Sequence, residues 1–426
     1  MITFYILLLT QTVSLIGSRM TTVGVGIWVY SQTGSATPLL LASFFAELPG
    51  MLGGSLAGVF VDRWPRRLTL VLSDAGQAGA TILLLASFMS GNFQVWHLYL
   101  ISFIEGVFSS LQQPAQDATI ALMVKDDRRE RANAIREMAF PLAGVMAPVL
   151  AGLVYAWQGI AAVIAVDLAT FVAAVVVVAL IRLPQVKVSL EGATAQGNFW
   201  SEMRGGLRYL WARPALLAFI LYMTLSSFLL NGPLELTIPY LLAITGSEQT
   251  MGWIMGLMSL GALSGAGLIA AWGGTRPRIY TLLAGGLLTG FMFLAYAVVR
   301  QPILLGVVIF LLFVPLPIGN ALMISIVQAK TPTDLQGRVF AIINQLAMLG
   351  STSSFLLTGP LVDRWLEPLA MTPAWAPFEP LLGSGAGAGM ALVLFVTGLA
   401  ILASTLFVLL WPLTRRLEST IPDYQD

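Results

Sequence analysis

The sequence predicts an all-α polytopic membrane protein whose twelve transmembrane helices form two pseudo-symmetric six-helix bundles. Three observations predict it. First, 57% of the 426 residues are apolar and only 10% are charged, with a mean hydropathy of +0.83. That leaves too little polar surface for a soluble fold of this length. Second, the apolar residues come in repeated runs of about 20, each enough to cross a ~30 Å hydrocarbon core as a helix. Third, the runs divide six and six around a polar stretch at 184–213, and a short motif recurs at matching places in the two sets.

The first run, 4–30, continues past Arg19 without a small-residue cleavage site, so it reads as a span rather than a signal peptide. Glycines, prolines and charge clusters bound further runs at 38–61, 68–90, 95–124, 135–157 and 159–183, which complete an N-terminal bundle at 1–183. The second set, 214–243, 250–273, 279–299, 302–329, 338–361 and 386–413, makes a C-terminal bundle and short tail at 214–426. In the linker at 184–213, Phe199, Met203, Leu207 and Leu210 recur at helical spacing with Arg204 and Arg208 opposite. This is the pattern of a short helix lying on a membrane surface.

Of the 22 Lys and Arg residues, all but Arg19, Arg300 and Arg364 fall on one face of this arrangement. The positive-inside rule assigns that face, and both termini, to the cytoplasm. The recurring motif is "DDRRERANAI" at 126–135 and "TDLQGRVFAI" at 333–342, and the same offset aligns Gly152 with Gly359. A six-span repeat of this kind points to two homologous bundles facing one another across a midplane site.

With no cysteine and one histidine, His97, the chain lacks the side chains for thiol chemistry or a His-rich metal cluster. It also has no phosphate-binding loop, so an enzyme is disfavoured. No cofactor, metal or nucleic acid is expected; the expected partners are membrane lipid and a transported molecule. Ionisable groups at membrane depth cost several kcal/mol unless paired or hydrated, which makes each a candidate for function. Arg19 and Glu47 lie at similar depth, roughly 20–25 Å from the cytoplasmic end at ~1.5 Å per residue, with Asp167 near the same level. Glu105 and Glu235 sit nearer the outer side, while Asp74 and Asp117 lie about 10 Å from the cytoplasmic end. Glu47 beside Arg19 is the expected proton carrier, because a carboxylate whose partner changes during transport can take up and release a proton. Trp28, Tyr30, Phe44, Phe45 and the two-proline "VPLPIGN" stretch are candidates to line an amphipathic cavity, against the commoner role of interfacial aromatics.

The stretches "VSLIGSRMTTVGVGIWVYSQTGSAT", "AGVFVDRWPRR", "PAQDATIALMV", "GGLRYLWARPALLAF" and "GRVFAI" together resemble the major facilitator superfamily, and more narrowly its drug:proton antiporter branch, which holds macrolide efflux proteins and siderophore exporters. Gly58, Asp62, Arg63, Arg66 and Arg67 fill the family's loop motif, with Pro65 in a glycine slot. The resemblance implies a conformational latch in which the arginines pair with an acid of the fourth span, here Asp117. "AGVMAPVLAG" is similar to the antiporter motif of the fifth span, with Gly144, Pro148 and Gly152 present and alanine in three glycine slots. The chain departs from the branch in carrying Arg19 where related exporters often have an acid and Glu105 where many have an arginine. A second VDRW, at 362–365, follows the eleventh span on the outer face, where no latch is expected. The implied function is proton-coupled export of amphipathic small molecules of drug, macrolide or siderophore type by alternating access, in a prokaryotic plasma (inner) membrane. The fold equally permits an uptake symporter, and a non-transporting membrane partner or sensor is the remaining alternative.

Overall fold

In a lipid core every backbone polar group must be satisfied within its own segment, so apolar runs of this length become helices. A computed structural model describes residues 2–64, 66–123, 139–180 and 199–421. Side chains are described outside 2–4, 54–63, 66–67, 113–114, 116–123, 140, 199–204 and 333–334. Among the described residues there is no strand, and each of the twelve expected runs is helical.

The first unit comprises 1–187 and 241–256. Its helices are α1 (Ile2–Thr33), α2 (Thr37–Arg63), α3 (Arg66–Met89), α4 (Val95–Met123) and α5 (Ala139–Leu180). Pro141–Leu180 is one apolar run of 40 residues, about 60 Å at ~1.5 Å per residue, twice the ~30 Å of a bilayer core. It breaks at Gly159, whose φ of 75° belongs to the left-handed region that glycine enters freely. The run therefore holds the fifth and sixth expected spans. Helix α1 packs along α5, and α4 packs against both α2 and α3.

The second unit comprises 188–240 and 257–426. It begins with α6 (Phe199–Trp211) and α7 (Pro214–Glu235); α8 (Thr237–Thr245) and α9 (Glu248–Trp272) each contribute residues to both units. Next come α10 (Arg278–Val298), α11 (Pro302–Phe313), α12 (Pro315–Lys330) and α13 (Thr333–Leu361). Pro315 and Pro317 lack the N–H groups that would continue the ladder from α11, which explains the break at Val314. Span 8 meets span 10 here with almost no side chain between them: a Cβ on Gly261 would lie 3.0 Å from the Phe310 carbonyl carbon, and one on Gly265 would lie 2.9 Å from that of Val314.

The helix predicted in the linker exists as α6, but its stripe is divided. Leu210 is fully buried while Leu207 is 43% exposed. Tyr209 takes the second buried place, donating its hydroxyl to the Lys330 carbonyl (2.7 Å) with the Arg213 guanidinium 3.8 Å from its ring centre. Gly206 sets this face, since a Cβ there would reach within 2.8 Å of Ile342 on α13. Helix α6 thus uses its Gly206–Leu210 side on protein rather than laying the whole stripe on lipid.

After α13 the chain makes a π-helical turn at Val362–Leu366, which holds the second VDRW, and then α14 (Glu367–Ala370), α15 (Glu379–Leu382) and α16 (Ala388–Leu410). Three tethers organise this connector. Glu367 accepts from the Gly387 and Met390 amides (3.3 and 3.1 Å), capping α16. Trp375, 2% exposed, donates Nε1–H to the Gly383 carbonyl at 2.8 Å. Arg300 donates to the Leu382 carbonyl and, at 2.7 Å, to the Tyr240 hydroxyl. The chain closes with α17 (Pro412–Arg415) and α18 (Leu417–Thr420). Here the buried Lys330 ammonium donates to the carbonyls of Glu418 (2.8 Å) and Ile421, and Glu418 accepts from the Ile279 amide at the start of α10 (2.8 Å).

Candidate functional site

In the first unit the intramembrane acids Glu47, Glu105 and Asp167 lie on α2, α4 and α5, with Arg19 on α1. Asp167, 1% exposed on the second half of α5, accepts from Ser18 Oγ of α1 at 3.2 Å. The neighbouring Gly17 permits this approach, because a Cβ there would stand 3.0 Å from Asp167 Oδ1. Glu105 on α4 lies close enough to Asp167 for the two carboxyls to act on each other electrostatically. Next to Glu105, Gly106 crosses α2 so closely that a Cβ would meet the Ala46 carbonyl carbon at 3.0 Å and its Cα at 3.2 Å. That crossing sets Glu47, the residue after Ala46, at the level of Glu105. Arg19, one residue from Ser18, is half-buried on α1. The fold therefore gathers Arg19, Glu47, Glu105 and Asp167 into one unit, whereas Glu235 belongs to the other, at the break between α7 and α8.

The aromatics beside this group are in contact with one another. Phe45 stacks on Tyr99 at 5.4 Å, and Trp28 meets Phe88 and Phe93 edge-on at 4.7 and 5.0 Å. The fifth-span motif also serves packing. A Cβ on Gly252 of α9 would lie 3.1 Å from the Pro148 carbonyl, and one on Gly152 would lie 3.3 Å from that of Glu248. The side chains of Asp62, Arg63, Arg66, Arg67 and Asp117, together with Gly58, fall outside the described set, although their backbones are helical.

The sequence left Asp74 open between a functional group and a helix-end acid, and a second polar feature was missed altogether. Asp74, fully buried on α3, accepts from Gln11 Nε2 of α1 (2.9 Å) and Gln112 Nε2 of α4 (2.7 Å). In the second unit a cavity of about 270 Å³ opens between α7, α10, α12, α13 and α16. Its polar lining is uncharged, with Tyr222, Thr224, Ser226, Ser227, Thr289 and Asn320 set among leucines, methionines and Pro315. The polar cluster "YMTLSS" in an otherwise apolar run was the available signal for it. The described residues include no group of three or more His, Cys, Asp and Glu able to hold a metal.

A bundle of long apolar helices carrying buried acids in one unit and an uncharged amphipathic cavity in the other defines an integral membrane carrier. The chain belongs to the Major Facilitator Superfamily, whose family model matches residues 7–354. Among its relatives, Macrolide efflux protein A of Streptococcus pyogenes is 25% identical over 370 residues, covering 85% of this chain and 89% of the relative. The Multidrug efflux pump Tap of Mycolicibacterium fortuitum is 22% identical over 358 residues, covering 82% and 86%. Among solved structures, a bacterial homolog of the human lysosomal transporter Spinster, inward-facing and occupied, superposes with a TM-score of 0.77 at 13% identity, covering 99% of this chain and 98% of that one. A D-xylose-proton symporter superposes with a TM-score of 0.67 at 13% identity, covering 94% and 97%. The protein is a membrane transporter of small molecules and not an enzyme.

Proposed function

We propose that this transporter is a proton-coupled exporter of amphipathic small molecules, of drug, macrolide or siderophore type, working by alternating access in a bacterial plasma membrane with both termini in the cytoplasm. The observation that carries it is the Glu105–Asp167 pair. Two carboxyls within electrostatic reach of one another at membrane depth are groups from which a proton can be taken and released within a transport cycle. The uncharged cavity of the second unit supports an amphipathic cargo, since apolar walls with a few hydroxyls and one amide take a largely apolar molecule and orient it. The efflux relatives support the outward direction; the symporter neighbour, at 13% identity, speaks for the fold alone.

In this reading 1–183 and 214–426 are the two moving bundles and 184–213 is the linker. Gly58, Asp62, Arg63, Arg66, Arg67 and Asp117 form a latch at the cytoplasmic end, and Arg19, Glu47 and Glu235 contribute to coupling or substrate contact. The test is efflux of a panel of dyes, macrolides and catechol siderophores from cells expressing the protein and its Asp62→Asn variant. Efflux that collapses both with an uncoupler and in the variant is the expected result. Gradient-driven accumulation would replace the exporter with an uptake symporter, and movement indifferent to the uncoupler would remove proton coupling.

A further inference from the structure

The first unit holds a second buried acid with a different kind of shell. Gln11 and Ser18 are seven residues apart on α1, two turns along one face, and so are Glu105 and Gln112 on α4. Ser18 and Glu105 address Asp167, whereas Gln11 and Gln112 address Asp74. Two polar layers are thus stacked along the same pair of helices, about 10 Å apart at ~1.5 Å per residue. An apolar plug lies on each side of the Asp74 layer. Toward the Asp167 layer, the Phe108 ring, on the α4 face between Glu105 and Gln112, is pressed onto Gly76, where any Cβ would collide with it. On the opposite side, Leu7, Leu70, Ala115 and Val178 form a buried apolar cluster. Beside that cluster the buried Ser73 donates its hydroxyl to the Thr69 carbonyl at 2.9 Å.

The shell of Asp74 suits either charge state. As a carboxylate it accepts one N–H from each amide. As an acid it must donate one O–H, and rotating either glutamine amide by half a turn presents the carbonyl oxygen that accepts it. An arginine partner would offer no such alternative, having donors only. The charged groups on the elements packed around Asp74 are Arg19 on α1, Glu47, Asp62 and Arg63 on α2, Arg66 and Arg67 on α3 itself, Glu105 and Asp117 on α4, and Asp167 on α5.

We propose that Asp74, held by Gln11 and Gln112 between the Phe108 plug and the Leu7–Leu70–Ala115–Val178 cluster, is an occluded proton-holding station between the Glu105–Asp167 pair and the basic end of the first unit. The inference rests on the proton-coupled reading above. In each cycle an O–H bond breaks on Glu105 or Asp167, the proton crosses the ~10 Å between layers along water admitted when Phe108 moves, an O–H bond forms on Asp74, and that bond breaks in turn when the proton passes to water at the basic end. One proton moves and no electron leaves. Displacement of Phe108 opens the first transfer, and parting of the apolar cluster opens the second.

The test uses the purified full chain in liposomes with a radiolabelled macrolide. Two modes are read: uptake driven by an imposed pH gradient, and counterflow at equal pH, which needs no net proton movement. For Asp74→Asn the expected result is counterflow within about twofold of wild type and driven transport reduced at least tenfold, with Asp74→Glu restoring it. Driven transport at the wild-type rate in Asp74→Asn overturns the inference and leaves the proton-coupled reading standing. Equal loss of both modes assigns Asp74 a structural role and also overturns it. A wild type that performs counterflow but ignores the gradient removes the proton-coupled reading, and the station with it.

Should Asp74→Asn not fold, Gln112→Met keeps the side-chain length and removes one donor to the carboxylate. It is expected to displace the pH optimum of driven transport by about one pH unit at unchanged counterflow, and an unmoved optimum overturns the inference.

Discussion

Replacing Gly106 with alanine tests whether the α2–α4 crossing holds the acid layer in place. The added Cβ would sit 3.0 Å from the Ala46 carbonyl carbon and 3.2 Å from its Cα, closer still to the carbonyl oxygen. Comfortable carbon–carbon contact begins at about 3.5 Å, and the obstacle is backbone, which cannot rotate aside. The helices must separate by roughly 0.5 Å or more, an overpacking cost of about 1–3 kcal/mol. Alanine recovers about 0.5–1 kcal/mol of helix propensity, which leaves a net destabilisation of about 1 kcal/mol at the middle of both ranges and about 2.5 kcal/mol at most.

Gly79 on α3 supplies the matched control, because a Cβ there meets nothing within 4 Å. Gly79→Ala should therefore be neutral or stabilising by up to about 1 kcal/mol. Thermal melting of the purified variants in detergent should place Gly106→Ala below wild type and Gly79→Ala at or above it, and gradient-driven transport should fall only in the former. A Gly106→Ala protein that melts together with Gly79→Ala would refute the close crossing and the levelling of Glu47 with Glu105 that follows from it.

Two further outcomes are expected. Lys330→Met removes an ammonium that donates to the Glu418 and Ile421 carbonyls, leaving buried acceptors unmet at about 1–3 kcal/mol. Limited proteolysis should then cut near 417–421 faster than in wild type, and an unchanged cleavage rate would count against this clamp. Replacing Asp363 and Arg364 together with alanine should leave transport within about twofold of wild type, because they lie on a π-helical turn that packs through Val362. Loss of transport in that folded double variant would give the second VDRW a function.

The spans were legible because membrane thickness turns length and composition directly into helices, and Gly159 marked the fold-back inside the run at 141–180. What the sequence could not provide was rotation about each helix axis. Asp74 looked no different from any helix-end acid until Gln11 and Gln112 were seen to converge on it from helices that are distant in sequence. In α6 the periodic stripe pointed to Leu207, but the small Gly206 let α13 approach on the adjacent face, so Tyr209 and Leu210 became the buried pair. Of the expected intramembrane group, depth counting placed Arg19, Glu47 and Asp167 at one level and put Glu105 further out. Whether Glu105 comes within electrostatic reach of Asp167 depends on side-chain direction, which depth alone does not carry.

The connector after α13 is tied at Glu367, at Trp375 and through Arg300 to Leu382. A surface segment anchored at three points has already lost most of its freedom, so binding an antibody fragment to it would involve little further loss of conformational entropy. It is therefore a favourable handle for raising a reagent that recognises the folded transporter, whereas the short turns at 34–36 and 90–94 offer too little surface to grip.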